Sequence, residues 1–348
     1  MTPKEAVVAL INGMSLTSAQ METMVSEIME GKASDAVIAA ILVLLRQKGE
    51  TIEEIYGAVN ALLNRVERIE LHPEAIDTCG TGGDASGTFN ISTVASIIAN
   101  AAGVKIAKHG NRSISSQCGS ADVLEALGIN INLNREQTKA IFEKTSYAFL
   151  YAPNYHKTMK SVAQARRELG IRTIFNMVGP LANPALISRQ LVGVYDKELT
   201  GMFAQVLRQR GAEHCVVVNG ITKEGVSLDE PNICGATYIS ELKNASVTSY
   251  TLHPEDFGFK RRRLEELQGG GLQESVNIVW EVVENRAPEA KRDAAIYASG
   301  MAIYVGGKAE TMEKGFEKAK EMLESGAAKE SLMRLIEAHR SVADSSSV

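Results

Sequence analysis

The first 68 residues alternate apolar and polar positions with helical spacing. Residues 2–5, Thr-Pro-Lys-Glu, have the pattern of a capping box with proline in the first helical turn, and residues 17–20 and 51–54 begin two more helices similarly. Residues 36–45 are apolar on nearly every side, so we expect that helix to be buried. The pattern predicts four short helices in a small bundle, with an apolar face left over that must pack on something else.

From residue 76 onward, short β-branched runs alternate with helical stretches. Residues 104–107, 191–195 and 215–218 are such runs, and a glycine closes several of the units. Strands that alternate with helices indicate an α/β fold with a central, mostly parallel sheet covered by helices on both faces. Ligands of such sheets bind beyond the carboxyl ends of the strands, so we expect the chemistry in the loops that follow them.

Composition supports a globular protein with a large aliphatic core. Of the 348 residues, 45% are hydrophobic but only 5% are aromatic, and 29 glycines stand against eight prolines. These values exclude collagen-like, disordered and disulfide-scaffold proteins. The net charge of −5 gives no support for a nucleic-acid or membrane-surface binder. Residues 260–263 are a basic run, but Glu265 and Glu266 follow it, which favours a solvated helix face over a polyanion-binding patch.

The four cysteines, Cys79, Cys118, Cys215 and Cys234, are far apart and include no Cys-x-x-Cys pair. This spacing indicates reduced cysteines rather than a disulfide framework or a zinc site. The start of the sequence lacks the basic segment and apolar core of a signal peptide, and the longest aliphatic run is too short to span a bilayer. We therefore expect a cytoplasmic protein with neither a membrane nor a nucleic-acid partner.

The densest chemical signal is a glycine-rich segment at residues 80–84, Gly-Thr-Gly-Gly-Asp. Three glycines in four positions let backbone N–H groups converge on an anion. Polar side chains then begin an apolar helix, whose free N–H groups also attract anions; they are Thr88, Asn90, Ser92 and Thr93. An ordinary strand-to-helix turn is the alternative, but the hydroxyl and amide cluster favours phosphate binding. The segment matches neither the P-loop nor the dinucleotide-binding glycine pattern.

A second polar segment, residues 108–116, follows the predicted strand at 104–107, and Gly119 and Ser120 precede the next helix. Its lysine, arginine and hydroxyl groups suit a polyanionic ligand. Because both polar segments follow strands of one sheet, we expect them to lie side by side. Two adjacent loops of this kind make a merely solvated loop a poor explanation.

Asp229 and Glu230 form an acidic pair in a proline-bounded loop. Hard oxygen ligands near phosphates suit Mg²⁺, which keeps waters and bridges phosphate oxygens. Taken alone, such a pair is more often simply acidic surface.

Basic and histidine side chains supply further candidates. Arg166 and Arg167 could hold a carboxylate in a bidentate fork, although their spacing alone favours salt bridges on a helix surface. His109 and His156 are candidate bases. A lone histidine is more often merely hydrogen-bonded, and no Ser-His-Asp or Cys-His arrangement is evident.

Together these segments resemble the anthranilate phosphoribosyltransferase family. The resemblance rests on residues 80–84, 90–93, 108–113, 119–128, 166–176, 179–184 and 229–230, which follow one order along nearly the whole chain. It implies the nucleoside phosphorylase and phosphoribosyltransferase type of fold. A small helical domain, residues 1–70, would be joined by helices near residues 166–186, and an α/β domain, residues 71–348, would bind donor and metal. The family usually forms a homodimer through the helical domain, which would cover the apolar face left over by the bundle.

The resemblance also implies a reaction. The enzyme would transfer the phosphoribosyl group of 5-phosphoribosyl 1-diphosphate to the amine of anthranilate, giving N-(5-phosphoribosyl)anthranilate and pyrophosphate in tryptophan biosynthesis. Two Mg²⁺ ions per active site would be held by Ser92, Asp229 and Glu230. Lys108, Asp229 and Glu230 would act in catalysis.

Two sets of binding residues follow from the same resemblance. The donor would contact Gly80, Gly83, Asp84, Thr88, Asn90, Ile91, Ser92, Thr93, Lys108, His109, Gly110, Asn111, Arg112, Ser113, Ser115, Ser116 and Ser120. Anthranilate would contact Gly80, His109, Asn111, His156, Arg166 and Pro180, with Arg166 on its carboxylate.

Two other functions stay open on the sequence alone. A pyrimidine nucleoside phosphorylase shares the fold but uses inorganic phosphate, and the segment 111–113 and the Asp229–Glu230 pair argue against it. A nucleic-acid-binding relative without the activity should have a basic face and should have lost donor ligands, whereas here the ligands are intact and the net charge is negative.

Overall fold

The N-terminal part of the chain is helical, as the sequence predicts. The computed structural model describes residues 1–84, 86–112 and 118–345. Its first four helices are α1 (Pro3–Ile11), α2 (Ser18–Met29), α3 (Asp35–Lys48) and α4 (Ile52–Leu63). The predicted capping boxes at residues 2–5, 17–20 and 51–54 are present at the starts of α1, α2 and α4, where side chains pair the first free N–H groups.

Beyond the bundle, the described residues form eight strands and eleven further α-helices. The strands are β1 (Ile76–Gly80), β2 (Ile106–Gly110), β3 (Tyr147–Tyr151), β4 (Arg189–Gly193), β5 (His214–Thr222), β6 (Ser227–Leu228), β7 (Gly235–Lys243) and β8 (Ser246–Leu252). The helices are α5 (Ile91–Ala101), α6 (Ser120–Ala126), α7 (Arg135–Thr145), α8 (Ala152–Tyr155), α9 (Lys160–Leu169), α10 (Ile174–Val178), α11 (Glu198–Gln209), α12 (Leu272–Val283), α13 (Glu289–Val305), α14 (Met312–Glu324) and α15 (Ala327–Ser345). Short 3₁₀ helices span Lys157–Met159, Pro254–Phe257 and Leu264–Leu267.

The strands form one sheet in the order β3-β2-β1-β4-β5-β7-β8, with β6 pairing beside β5. Strands β3, β2, β1, β4 and β5 are parallel to one another, and β6, β7 and β8 are antiparallel to their neighbours. Gly80 of β1 pairs with Gly193 of β4, and Gly110 of β2 pairs with Tyr151 of β3. The predicted mostly parallel sheet is therefore confirmed, and the carboxyl ends of its central strands lie together.

Helices cover both faces of the sheet and divide the buried side chains into two main cores. Leu191 and Val216 point to a core that contains α5, α12, α13, α14 and α15. Their neighbours Val192 and Val217 point to the other core, because successive strand residues face opposite sides. That second core contains α11, the four N-terminal helices and the α9–α10 segment, including Phe175. The bundle is thus completed by a segment from the middle of the chain.

Helix α3 differs from its prediction on one face. Ile38, Ile41 and Leu45 are buried, but Val43 is 39% exposed. The prediction that this helix is buried is therefore confirmed for one face and wrong for the face that carries Val43, which no neighbouring element covers in the described part of the chain. Beside it, Val8 and other apolar side chains of the α1 region are also exposed.

A partly buried carboxylate links the antiparallel part of the sheet to α13. Glu241 of β7 accepts hydrogen bonds from His214 Nε2 at 2.9 Å, Tyr250 at 2.7 Å and Tyr304 at 2.6 Å. Burial raises the pKa of Glu241, but these hydrogen bonds outweigh it and bring the pKa to about 2. The cluster therefore favours the charged carboxylate.

The basic run at residues 260–263 lies between two 3₁₀ helices and is itself irregular, so the prediction that it forms a helix face is wrong. Its arginines are engaged in ion pairs: Arg262 with Glu289 and Asp293, and Arg261 with Glu255. The charges are neutralised locally, which argues against a polyanion-binding patch. No helix in the described part of the chain is long and apolar enough to cross a membrane.

Candidate active site

Three loops meet at the carboxyl ends of the parallel strands. The glycine loop, residues 80–84, leaves β1. Lys108 and His109, which were predicted to follow a strand, lie within the last residues of the neighbouring strand β2. The acidic pair reaches them from further along the chain: β5 turns back into β6, and Asp229 and Glu230 follow directly. The structure therefore brings together the three segments that the sequence analysis selected.

The glycine loop is held by main-chain and side-chain contacts. Gly82 and Gly83 have φ values of +66° and +73°, a conformation that favours glycine. Thr81 N donates to Gly193 O at 3.0 Å, and Gly82 N donates to Asp229 Oδ2 at 2.6 Å. The Gly83 carbonyl oxygen accepts a hydrogen bond from Arg172 Nη2. The loop is thus fixed by three segments distant in sequence.

Two paired glycines make room for the acidic loop. A Cβ on Gly80 would overlap the Asp229 carboxylate, and a Cβ on Gly193 would overlap the Asp229 carbonyl oxygen. Because Gly80 and Gly193 are paired in neighbouring strands, the two sites form one gap in the side-chain layer. Asp229 fills this gap, which explains why both strands end in glycine.

The carboxylates of Asp84, Asp229 and Glu230 repel one another at a site where Asp229 is buried and the other two are partly buried. Burial and the charge of Asp84 raise the pKa of Asp229 to about 7, and burial and the charge of Asp229 raise the pKa of Glu230 to about 8. Glu230 Oε1 accepts from Ser92 N at 3.1 Å, and Asp229 N donates to Asp84 Oδ2 at 3.3 Å. Carboxylates held this close together favour a bound cation.

These residues fit Mg²⁺ in one particular form. Within the described residues, no three His, Cys, Asp or Glu side chains are grouped closely enough to hold a metal ion by themselves. Mg²⁺ is commonly held by one or two carboxylates together with the phosphate oxygens of a substrate. Asp229 and Glu230 lie beside a loop suited to phosphate, so they could hold Mg²⁺ together with phosphate oxygens of a bound substrate.

The start of α5 carries several of the residues that are predicted to contact the donor. Ser86 Oγ and Thr88 Oγ1 lie 3.2 Å apart, and Asn90 Nδ2 donates to Cys118 O at 3.1 Å. The side chains of Ile91 and Thr93 are buried beneath the helix start. A donor would therefore meet Thr88, Asn90 and Ser92 more readily than those two side chains.

Lys108 is the buried cation of the site, with 1% of its surface exposed. Its Nζ donates to the carbonyl oxygen of Thr78 and to Ser92 Oγ at 3.3 Å. Burial lowers the pKa of Lys108, and the charges of Asp77, Cys79 and Glu230 act against that effect. Lys108 therefore faces both the α5 start and the acidic pair.

The rest of the second segment is only partly described. Asn111 O accepts from Ser120 Oγ at 3.4 Å and from Ala121 N at 3.3 Å, so Asn111 and Ser120 adjoin. The Arg112 guanidinium is engaged by Asp122 and Glu125, each at 2.7 Å. A donor contact of Gly110 or Arg112 stays a prediction. Ser113, Ser115 and Ser116, which were also predicted to contact the donor, lie outside the described residues.

His109 and His156 form a buried pair, with ring centroids 5.1 Å apart. Burial lowers the pKa of both rings, to about 4 for His156, so they are neutral. Each is hydrogen-bonded to a backbone group, of Gly179 and Ala182 respectively, while its Nε2 atom has no hydrogen-bond partner among the described residues. Two neutral ring nitrogens are thus left beside the turn that contains Pro180.

Arg166 and Arg167 have different surroundings. Arg167 is exposed, whereas Arg166 is partly buried and lies 5.7 Å from the ring centroid of Phe175. Burial lowers the pKa of Arg166, and no ion pair with it occurs in the described part of the chain. A partly buried guanidinium without an anionic partner is a suitable receptor for a carboxylate.

Several residues that organise the site were missed by sequence reasoning. Asp77 is fully buried and accepts from His109 N at 3.0 Å and from Asn183 Nδ2 at 2.9 Å. Burial raises the pKa of Asp77 to about 6, and the charge of Lys108 acts against it. Arg172 lies within residues 166–176, one of the segments that carry the resemblance, and Asp77 lies in β1 just before the glycine loop, but nothing in local spacing gives their partners. Gly193 carries no sequence signal, because it lies in the middle of the predicted strand at 191–195, whereas in the structure it ends β4.

Comparison with known proteins places this geometry in a family. Residues 4–66 match the helical bundle domain of the glycosyl transferase family, and residues 72–329 match that family's a/b domain. The chain is 55% identical to an anthranilate phosphoribosyltransferase from Chloroherpeton thalassium, over 98% of this chain and 99% of the relative.

Solved structures give the same result. The anthranilate phosphoribosyltransferase from Thermus thermophilus is similar with a TM-score of 0.88 and 35% identity, covering 96% of this chain and 99% of that one. The enzyme from Saccharomyces cerevisiae in complex with PRPP and Mg is similar with a TM-score of 0.86 and 26% identity, over 97% and 98% of the chains. Its complex with 4-fluoroanthranilate has a TM-score of 0.85 at 26% identity, over 97% of both chains.

Proposed function

Because the chain belongs to the anthranilate phosphoribosyltransferase family, we propose that it transfers the phosphoribosyl group of 5-phosphoribosyl 1-diphosphate to the amine of anthranilate. The products are N-(5-phosphoribosyl)anthranilate and pyrophosphate, in tryptophan biosynthesis. One observation carries the proposal furthest: the Asp229–Glu230 pair lies across the glycine loop and the start of α5, through hydrogen bonds of 2.6 Å to Gly82 N and 3.1 Å to Ser92 N.

The donor site is built to stabilise a leaving diphosphate. Breaking the C1–O bond leaves negative charge on the diphosphate and positive charge on the ribose. Thr81 N and Gly82 N already donate within the protein, but the other glycine-loop N–H groups and the buried Lys108 are held in place before reaction, so they stabilise that charge without reorganisation. Bound Mg²⁺, for which we propose two ions held by Ser92, Asp229 and Glu230, supplies further positive charge to the diphosphate oxygens.

The acceptor site positions an amine that needs no strong base. Its nitrogen has a free lone pair, so the task of the protein is to hold it against C1 of the ribose. We assign the acceptor carboxylate to Arg166 and the lining to His109, His156 and Pro180. The neutral histidines support this assignment, because neither Nε2 atom has a hydrogen-bond partner among the residues that the structure describes, so each can accept an N–H from the amine.

We also propose a division into a helical domain, residues 1–70 with helices near residues 166–186, and an α/β domain, residues 71–348. The shared core of the bundle and the α9–α10 segment supports it. A homodimer would form through the helical domain, where Val8, Ile11 and Met14 are 62%, 66% and 58% exposed. Free thiols at Cys79, Cys215 and Cys234 are consistent with a cytoplasmic location.

The activity is tested by mixing the protein with the donor, Mg²⁺ and anthranilate. Anthranilate consumption is followed by fluorescence, together with pyrophosphate release. We expect the two to be equal and to require Mg²⁺. A folded sample that consumes no anthranilate would overturn the proposal, and phosphorolysis of thymidine or uridine would favour a nucleoside phosphorylase instead.

The dimer is tested by light scattering after size-exclusion chromatography. The change Ile11→Asp should give monomers, because it places a charge in the proposed interface. Met333→Asp on α15, where the side chain is 52% exposed, is the matched control and should stay dimeric. A monomeric wild-type protein would contradict the assignment.

A further inference from the structure

One arginine contacts the glycine loop from the acceptor side of the site. Arg172 donates a hydrogen bond from Nη2 to the carbonyl oxygen of Gly83. Its guanidinium carbon also lies 4.2 Å from the ring centroid of Tyr195, well within the range of a cation–π interaction. Arg172 is therefore held between an aromatic ring and the loop backbone.

The tyrosine is a fixed platform. Tyr195 follows β4, and only 6% of its surface is exposed. Its N–H donates to Thr81 Oγ1 at 3.1 Å, and its carbonyl oxygen accepts from Ser227 Oγ at 2.8 Å. The ring that supports Arg172 is thus attached by its own backbone to the same glycine loop.

The backbone of Arg172 is fixed as well. Helix α9 ends at Gly170, whose φ of +61° is left-handed, and Thr173 is the N-cap of α10. Arg172 therefore occupies a short link between two helices that pack in the core of the bundle. The same segment carries Arg166, to which we assign the acceptor carboxylate.

We infer that Arg172 is a positioning residue that fixes the Gly83 peptide of the donor loop relative to the acceptor-binding α9–α10 segment. The inference rests on the proposed function, since it concerns the donor site of that reaction. Without the guanidinium, the left-handed Gly82–Gly83 turn loses its hydrogen bond to the α9–α10 segment. The N–H groups of the glycine loop are then no longer held in one arrangement. Donor binding then has to order the loop, and affinity falls.

The test compares Arg172→Ala with the wild type by calorimetric titration of 5-phosphoribosyl 1-diphosphate with Mg²⁺, without acceptor. We expect affinity to fall about tenfold, the size of losing one hydrogen bond and one cation–π contact. In turnover, KM for the donor should rise by a similar factor while kcat changes less. Arg208→Ala, at an exposed arginine on α11, is the matched control and should bind like the wild type.

Two further variants separate positioning from folding. Arg172→Lys keeps a cation over the ring and one donor for a single carbonyl oxygen, so it should recover most of the affinity. Tyr195→Leu should weaken donor binding, and adding it to Arg172→Ala should cost little more, because the two residues act through one contact.

Hydrogen exchange provides a ligand-free readout. Amides of residues 80–90 should exchange faster in Arg172→Ala than in wild type or Arg208→Ala. Equal exchange and equal donor affinity in a folded Arg172→Ala protein would overturn the inference, as would a lowered kcat with unchanged donor KM. A wild-type protein that binds no donor would instead contradict the proposed function, and the exchange experiment would still decide the role of Arg172.

Discussion

Replacing Arg166 by alanine tests the acceptor site most directly. The guanidinium is partly buried and lacks an ion-pair partner in the described part of the chain, so an acceptor carboxylate would be its main counter-charge. Losing a bidentate, charge-assisted contact costs about 3 kcal/mol, which corresponds to about 150-fold in kcat/KM for anthranilate. Because burial disfavours the free cation and lowers the pKa of Arg166, Arg166→Ala should not lower Tm.

The assay pairs the variant with a changed substrate. Anthranilamide lacks the carboxylate charge, so its kcat/KM should be low with the wild type and nearly the same with Arg166→Ala. The exposed neighbour Arg167, changed to alanine, is the control and should leave both substrates unaffected. Equal losses for anthranilate and anthranilamide would refute the reasoning, because the effect would then not depend on the carboxylate. An unchanged anthranilate kcat/KM would refute it as well.

Three other changes give distinct results. Gly193→Ala should lower kcat/KM strongly in steady-state assays, because its Cβ would overlap the Asp229 carbonyl oxygen. Gly201→Ala in helix α11 is the control; its Cβ has space, so activity should be kept. Asp229→Asn should lower the apparent affinity for Mg²⁺ at least about tenfold. A titration of turnover against Mg²⁺ concentration should show this as a higher midpoint. The hydrogen bonds from His214, Tyr250 and Tyr304 lower the pKa of Glu241 in the folded protein to about 2, from 4.5 without them. The charged carboxylate therefore stabilises the fold above pH 4.5, and this stabilisation is lost as pH falls towards 2. Urea unfolding should therefore show a Glu241→Gln deficit at pH 6.5 that shrinks by pH 3, and a constant deficit would contradict it.

Local sequence signals predicted the helices and the sheet well. The capping boxes act over three or four residues, so the starts of α1, α2 and α4 follow from the chain itself. Strand runs with intervening helices likewise implied a mostly parallel sheet. The exposed side of α3 could not be predicted, because an all-apolar helix gives no indication of which face lacks a neighbour. That depends on the order in which helices pack.

The candidate site also has parts that the sequence predicts and parts that it does not. The glycine loop follows β1 and Lys108 lies near the end of the neighbouring strand β2, so their closeness follows from the predicted sheet. The position of the acidic pair does not, because Asp229 reaches the loop through the β5–β6 reversal, 147 residues away from Gly82. The contacts of Arg172 could not be predicted either, since Gly83 and Tyr195 follow different strands, β1 and β4.

The glycines show how a local pattern can carry a long-range requirement. In sequence, Gly80 and Gly82 both belong to one phosphate-type motif, but the structure gives them different tasks. Gly82 has a left-handed φ and presents its N–H, so conformation requires glycine there. Gly80 has no such φ; it and Gly193 lack side chains because Asp229 occupies that space. A motif that suggests only anion binding therefore also specifies where the acidic pair must lie, and loop and carboxylates can be placed correctly only together.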